Sequence, residues 1–237
     1  MNNHQLLMMG IPAVVASVGG VIAALWSPSH PFRSLVQHFA AGVILAALAV
    51  ELLPDIANEH ATPGVIIASF ALGSVFMYGL KLWTIRLEHR AAATASAFGV
   101  GLLVATFMDV AVDGFIIGAG FAANGEAGTI LALGLSVELL FLGMALASEA
   151  IKGWRVVALS TALGLTVLLF AVLGSVLLAG ASQQLIGGVL AFSAAALLYL
   201  VTEELLIEAH TVEEKPISTL VLFAGFLVFW SIQLLAK

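Results

Sequence analysis

The chain has 237 residues, of which 62% are hydrophobic and only 9% charged, with a mean hydropathy of +1.14. A water-soluble domain of this size needs a far more charged surface. The formal charge of −6 and the lack of a basic cluster exclude a nucleic-acid binder, and the absence of cysteine excludes disulfides and thiolate metal ligands.

Apolar runs of about 18 residues or more indicate membrane helices. Interruptions by Pro, Gly, Ser or charge clusters divide the sequence into eight predicted spans, at 5–25, 34–56, 64–83, 97–122, 127–151, 155–179, 185–208 and 217–236. The expectation is an all-α membrane protein with a single transmembrane domain over residues 1–237. The opening MNNHQLL lacks a basic n-region, so span 1 reads as a retained helix rather than a signal peptide. The basic residues set the orientation. Arg33 follows span 1; Lys81, Arg86 and Arg90 flank the loop after span 3; Lys152 and Arg155 follow span 5; Lys215 follows span 7. Only Lys237 falls on the other side, so that shared side is expected to be cytoplasmic, with both termini outside the cytoplasm.

Two of the spans resemble each other. At an offset of 153 residues (204 minus 51), FAAGVILAALAVELLPDI (39–56) aligns with FSAAALLYLVTEELLIEA (192–209). Phe39 meets Phe192, Glu51-Leu52-Leu53 meets Glu204-Leu205-Leu206, and Asp55 meets Glu208. Span 2 would run outward and span 7 inward, the mark of an inverted repeat of spans 1–3 and 6–8 around a central pair, spans 4 and 5. A weaker alignment at an offset of 25 (138 minus 113) puts Asp113 on Glu138 and Gly118 on Gly143.

The acids are the chemistry-bearing residues. Asp109 and Asp113 lie one helical turn apart on one face of span 4, and Glu138 lies near the middle of span 5. A carboxylate at the bilayer centre costs roughly 2.5–3.5 kcal/mol on insertion scales. No Lys or Arg lies at any span centre, so the missing positive charge is a proton or a bound cation. Carboxylate oxygens are the natural ligands of a hard divalent metal ion, which makes Asp109, Asp113 and Glu138 the candidate metal ligands. A second group lies toward the faces: Glu51 and Asp55 near the outer end of span 2, and Glu203, Glu204, Glu208 and His210 near the inner end of span 7. These are either solvated helix ends or an access path that attracts cations. The remaining histidines lie at the chain start, in loops or, for His38, at the start of span 2. Met108, Ser136 and Met144 stand beside the acids in sequence, with core packing the expected role of the methionines. There is no P-loop, no HExxH and no visible nucleophile–base pair, so an enzyme is not expected.

The pattern resembles the ZIP family of metal transporters, in its bacterial GufA-like branch. DVAVDGFIIGAGF is similar to that family's helix-4 motif, GLSVELLFLGMAL to its helix-5 motif, and FAAGVILAALAVELLPDI and EELLIEAH to its helix-2 and helix-7 signatures. The resemblance implies a transporter of divalent transition metals (zinc, manganese or iron) in a bacterial inner membrane, with Asp113 and Glu138 as metal ligands. The metal is then the transported substrate, with no cofactor; the lipid membrane is the environment, and a homodimer is not excluded. Several positions depart from the pattern. Asp109 stands where the family has a ligating His, Gly134 where helix 5 has its His, Val137 replaces a proline and Leu139 a glycine. Span 6 carries no glutamate, and the usual histidine-rich loop is reduced to RLEHR. Loss of imidazole tilts the site toward oxygen-preferring ions such as manganese or ferrous iron. The alternatives are a transport-inactive, metal-sensing or structural relative, motivated by those replacements, and a proton-coupled carrier of a small organic cation that uses the same acids.

Overall fold

The computed structural model describes residues 2–26, 29–93, 100–146, 153–209 and 216–236. The described residues form helices and no strand, and eight helical stretches are long and apolar enough to cross a membrane. In chain order these are α1 (Asn3–Leu25), α2 (His30–Ala47), α3 (Leu53–Asn58), α4 (Pro63–Ala93), α5 (Val100–Ala123), α6 (Gly125–Ala145), α7 (Trp154–Leu177), α8 (Gln183–Tyr199), α9 (Leu206–Ala209) and α10 (Pro216–Ala236). Two of the spans are interrupted without being broken. A π-helical turn at Leu48–Leu52 joins α2 to α3, and another at Leu200–Leu205 joins α8 to α9.

The eight spans expected from the sequence are all helical, with small shifts at their ends. The largest difference is α4, expected to end at residue 83 and helical to Ala93. Beyond Trp83 the chain turns polar but meets no Pro or Gly, and Arg, Leu, Glu and Ala are good helix formers, so the helix continues past the apolar stretch. The first residues expected of span 4 (97–99) and the last of span 5 (147–151) lie outside the described residues.

Helix ends explain the short connections. Between α5 and α6, the Asn124 side chain accepts from the Ala127 amide at 2.6 Å, an N-cap that satisfies one of the orphan donors of α6. Its amide group also donates to Asp55 Oδ2 at 3.0 Å, tying the end of span 2 to this turn. Pro54 lies just after the first π turn and lacks the N–H that would bond Val50. The Val50 carbonyl lies 3.5 Å from the Gln233 amide of α10 instead.

The core is shared by α1, α2, α5, α6, α7 and α8 through residues such as Met9, Ile44, Ile117, Leu135, Leu163 and Leu197. α4 and α10 lie at the periphery and leave Leu72, Val75, Phe223 and Leu227 exposed. Apolar surface of that extent is not solvated by water, but it is ordinary against lipid.

Lipid offers no hydrophobic drive for one helix to pack on another, so close backbone approach carries the association. α1 packs along α6 and α7, α5 along α7, α2 along α10, and α4 along α8. Glycines sit at each seam. A side chain at Gly19 would strike the Leu140 backbone and one at Gly143 the Ala16 backbone, closing the α1–α6 seam. Gly114 and Gly118 lie against the backbones of Val167 and Ala171, closing the α5–α7 seam. Gly225 lies against the Phe39 carbonyl, and Gly73 against the Phe192 carbonyl.

A Gly118→Val variant is therefore expected to lose about 1–3 kcal/mol or more through overpacking against rigid backbone, seen as a lower melting temperature in detergent. Gly10→Ala, where the added methyl meets nothing within 4 Å, should melt at or slightly above the wild-type temperature. Equal melting of the two variants would contradict this packing.

Candidate metal centre

The middle of α5 carries Asp109 and Asp113 on the same face, and α6, which packs beside it, carries Glu138. Each of the three contributes a carboxylate oxygen to a cluster in which all three atoms lie within 4.8 Å of one another. Asp113 and Glu138 are buried and Asp109 is half-buried. The three acids singled out as candidate ligands thus converge on one point between two helices.

The glycines around them make this approach feasible. Gly114 follows Asp113 directly, and Gly118 lies one turn further, so α5 sits close to α7. On α6, Ser136 is buried, and its hydroxyl donates to the Ala132 carbonyl at 2.6 Å. Its hydrogen-bonding capacity goes largely to its own helix. Met144 packs with Ala23 and Val156 in a small apolar cluster, as expected of a core methionine. Met108 is exposed on the other side of α5.

A fourth carboxylate joins the cluster. Glu204, on the second π turn, is hydrogen-bonded to Asp109 and acts electrostatically on Asp113 and Glu138. Two carboxyl groups hydrogen-bond only with a proton between them. From the sequence, Glu204 is expected near the inner end of span 7; the structure brings it to the metal centre. The Lys81 side chain of α4 is near enough to attract Asp109.

The other acids of the suggested access path have separate fates. Glu51 is buried on the first π turn, where Gln233 donates a hydrogen bond to its carboxylate. Asp55 accepts from Asn124 in the helix-end tie described above, a structural contact. Glu203 is exposed. The side chain of Glu208, at the end of α9, and the whole of His210 lie outside the described residues, so the shared face suggested for Glu203 and His210 does as well. His38, at the start of span 2, is buried, with Nδ1 2.8 Å from the Ser34 carbonyl oxygen.

Electrostatics sets what this cluster can do. At about 4–5 Å and an effective dielectric of about 20, each like-charged pair repels by roughly 3–4 kcal/mol. Three ionised acids would then carry on the order of 10 kcal/mol, comparable with the whole stability of a typical fold. Positive charge has to enter. Asp113 Oδ2 and Glu138 Oε2 are buried and have no hydrogen-bond partner among the described residues. Buried polar atoms are nearly always satisfied, and an unmet acceptor at a site is the mark of an absent ion or water. The cluster could hold a metal ion. Divalent metals bind carboxylate oxygens at about 2.0–2.6 Å, so ligand oxygens on opposite sides of an ion lie about 4.0–5.2 Å apart. The observed spread needs little adjustment to close on one.

Metal should therefore stabilise this protein directly. Mn²⁺ at about a hundred times its dissociation constant is expected to add about 2.7 kcal/mol to unfolding, read as a rise in melting temperature in detergent. The double variant Asp113→Asn, Glu138→Gln should lose that rise while melting no lower than the wild type without metal, since it removes buried negative charge. An identical metal-induced rise in the variant would place the ion elsewhere.

The chain matches no protein-family model and no curated protein, so the reading of this centre rests on its own geometry.

Proposed function

We propose that this membrane-spanning helical protein carries divalent transition-metal ions across the bilayer through the carboxylate centre of α5 and α6. The observation that carries this reading is the convergence of Asp109, Asp113 and Glu138, two of them with buried and unpartnered oxygens, in the interior of a lipid-embedded bundle. Intramembrane acids facing a bundle interior mark ion pathways. The donor set is all oxygen, with Glu204 as a fourth carboxylate, and it favours manganese or ferrous iron over softer-ligand ions.

Alternating access fits the packing. The inverted repeat is supported by matched contacts on both halves. Phe39 and Phe192, paired by the 153-residue offset, each present a carbonyl to a glycine of a peripheral helix, Gly225 and Gly73. Gly118 and Gly143, paired by the 25-residue offset, close the equivalent seams α5–α7 and α6–α1. The two π turns fall at matching positions of spans 2 and 7. In this reading the two groups of helices rock around a fixed mid-membrane site. Exposed Trp26, Trp83 and Trp154 lie at the same interface as Arg33, Lys81 and Arg155, as an aromatic belt beside a positive-inside face would. That face is the cytoplasmic one, both termini are outside, and the membrane is a bacterial inner membrane. The arrangement also supports the sequence resemblance to ZIP-type transporters, with Asp113 and Glu138 in the ligand positions.

Flux through reconstituted vesicles tests the assignment. Wild-type protein should take up Mn²⁺ or Fe²⁺, and Asp113→Ala combined with Glu138→Ala should reduce uptake to the level of empty vesicles. Undiminished uptake by the double variant sinks the assignment. Metal-induced stabilisation without flux in the wild type would favour the transport-inactive, metal-sensing reading.

A further inference from the structure

The two π turns carry the same residue in the same place but use it differently. Offset by 153 residues, Leu48–Leu52 falls on 201–205, within the second π turn, and Glu51 falls on Glu204. π turns are rare, and most appear as single turns inside α-helices at functional positions. Two of them at matching positions, each bearing a glutamate, make the pair a device of the fold rather than an accident of one helix.

Their surroundings differ in one respect that matters. Glu204 reaches the metal centre, where it is hydrogen-bonded to Asp109. Glu51 is only 8% exposed, and the Gln233 amide of α10 donates to its carboxylate. The same amide lies near the Val50 carbonyl, which Pro54 leaves without its helical donor. α10 packs on α2 as α4 packs on α8, so Gln233 belongs to the half that mirrors the helix supplying Lys81. One half has its glutamate deployed in the site; the other has the equivalent glutamate held aside by a neutral amide.

In a carrier built from inverted repeats, the opposite-facing state arises when each half takes up the arrangement of the other. We propose that Glu51 is the further site carboxylate of that second state: it leaves Gln233 and completes the metal centre as Glu204 withdraws. This rests on the transport reading and on the repeat. A divalent cation is a stronger partner for a carboxylate than an amide, so the ion itself drives the exchange. Glu51 and Glu204 then alternate as ligands, each serving one face of the membrane, while Asp113 and Glu138 hold the ion throughout.

The test is sidedness of affinity. Protein is reconstituted in a single orientation, and the Mn²⁺ concentration giving half-maximal flux is measured from each face. Glu204→Gln should raise it by about ten-fold or more on one face and little on the other, in line with the loss of a metal-supporting group. Glu51→Gln should do the converse, and Glu51→Asp should recover most of the loss. A general folding defect would move both faces together. Gln233→Leu, which keeps Glu51 and removes its amide donor, should lower the half-saturating concentration on the Glu51 face. The proposal is overturned if Glu51→Gln affects neither face, both equally, or the same face as Glu204→Gln. Should Glu51→Gln not fold, unchanged values on both faces for Gln233→Leu overturn it. Absent Mn²⁺ flux in the wild type would fell the transport reading first, and this assignment with it.

Discussion

Negative charge crowded into a low-dielectric interior is the constraint around which the bundle is arranged. Asp109, Asp113 and Glu138 are held close enough that their mutual repulsion, if all were ionised, would rival the stability of the entire fold. A helix bundle with no other purpose would shed these groups, because an apolar residue of similar volume is at least as stable in their place. Their presence makes sense only if a positive partner arrives, and a partner that arrives in a membrane-spanning bundle can also depart on the other side. Burial and unmet acceptor capacity on Asp113 and Glu138 point in the same direction.

Bringing carboxylates together in lipid requires backbones to come together first. The seams between α1 and α6, and between α5 and α7, are closed by glycines whose missing side chains leave room for the neighbouring backbone. The glycines of GFIIGAG therefore serve as packing surface beside the site. Large residues such as Ile117, Leu135 and Leu139 fill the layer around the acids, where they exclude water and strengthen any electrostatic contact within. The peripheral helices α4 and α10 contribute little to that core, but each reaches inward with one polar side chain, Lys81 and Gln233 respectively.

Much of this was legible in the sequence. The spans could be read because Pro, Gly and charge interrupt apolar runs long enough to cross a bilayer. Asp109, Asp113 and Glu138 could be read because ionisable residues stand out in such runs, and i, i+4 spacing fixes a shared face. The overrun of α4 to Ala93 could not, since hydropathy reports where the membrane ends and not where the helix does. Glu204 was misplaced for a different reason. Facing on a helix is inferred by counting 3.6 residues per turn, and a π turn breaks the count within the very segment that carries the glutamate. One signal was available: the ungapped match of Glu51 to Glu204 marked the two as equivalent, although no spacing rule said where either would point. Asp55 shows the opposite case, where an acid suggestive of an ion path serves to fasten a turn through Asn124.

Each wide turn holds surplus chain in an otherwise regular rod. In an α-helix every residue adds about 100° of rotation, so removing one amino acid from Leu48–Leu52 or from 200–205 would let the rod close into uniform α geometry while swinging everything downstream by roughly that angle. The apolar stripe of the segment would remain long enough for the bilayer, yet the carboxylate and the groups after it would aim at different neighbours. Sequence length in these two places is thus as strictly specified as residue identity, and a single-codon deletion there is a change of direction rather than a shortening.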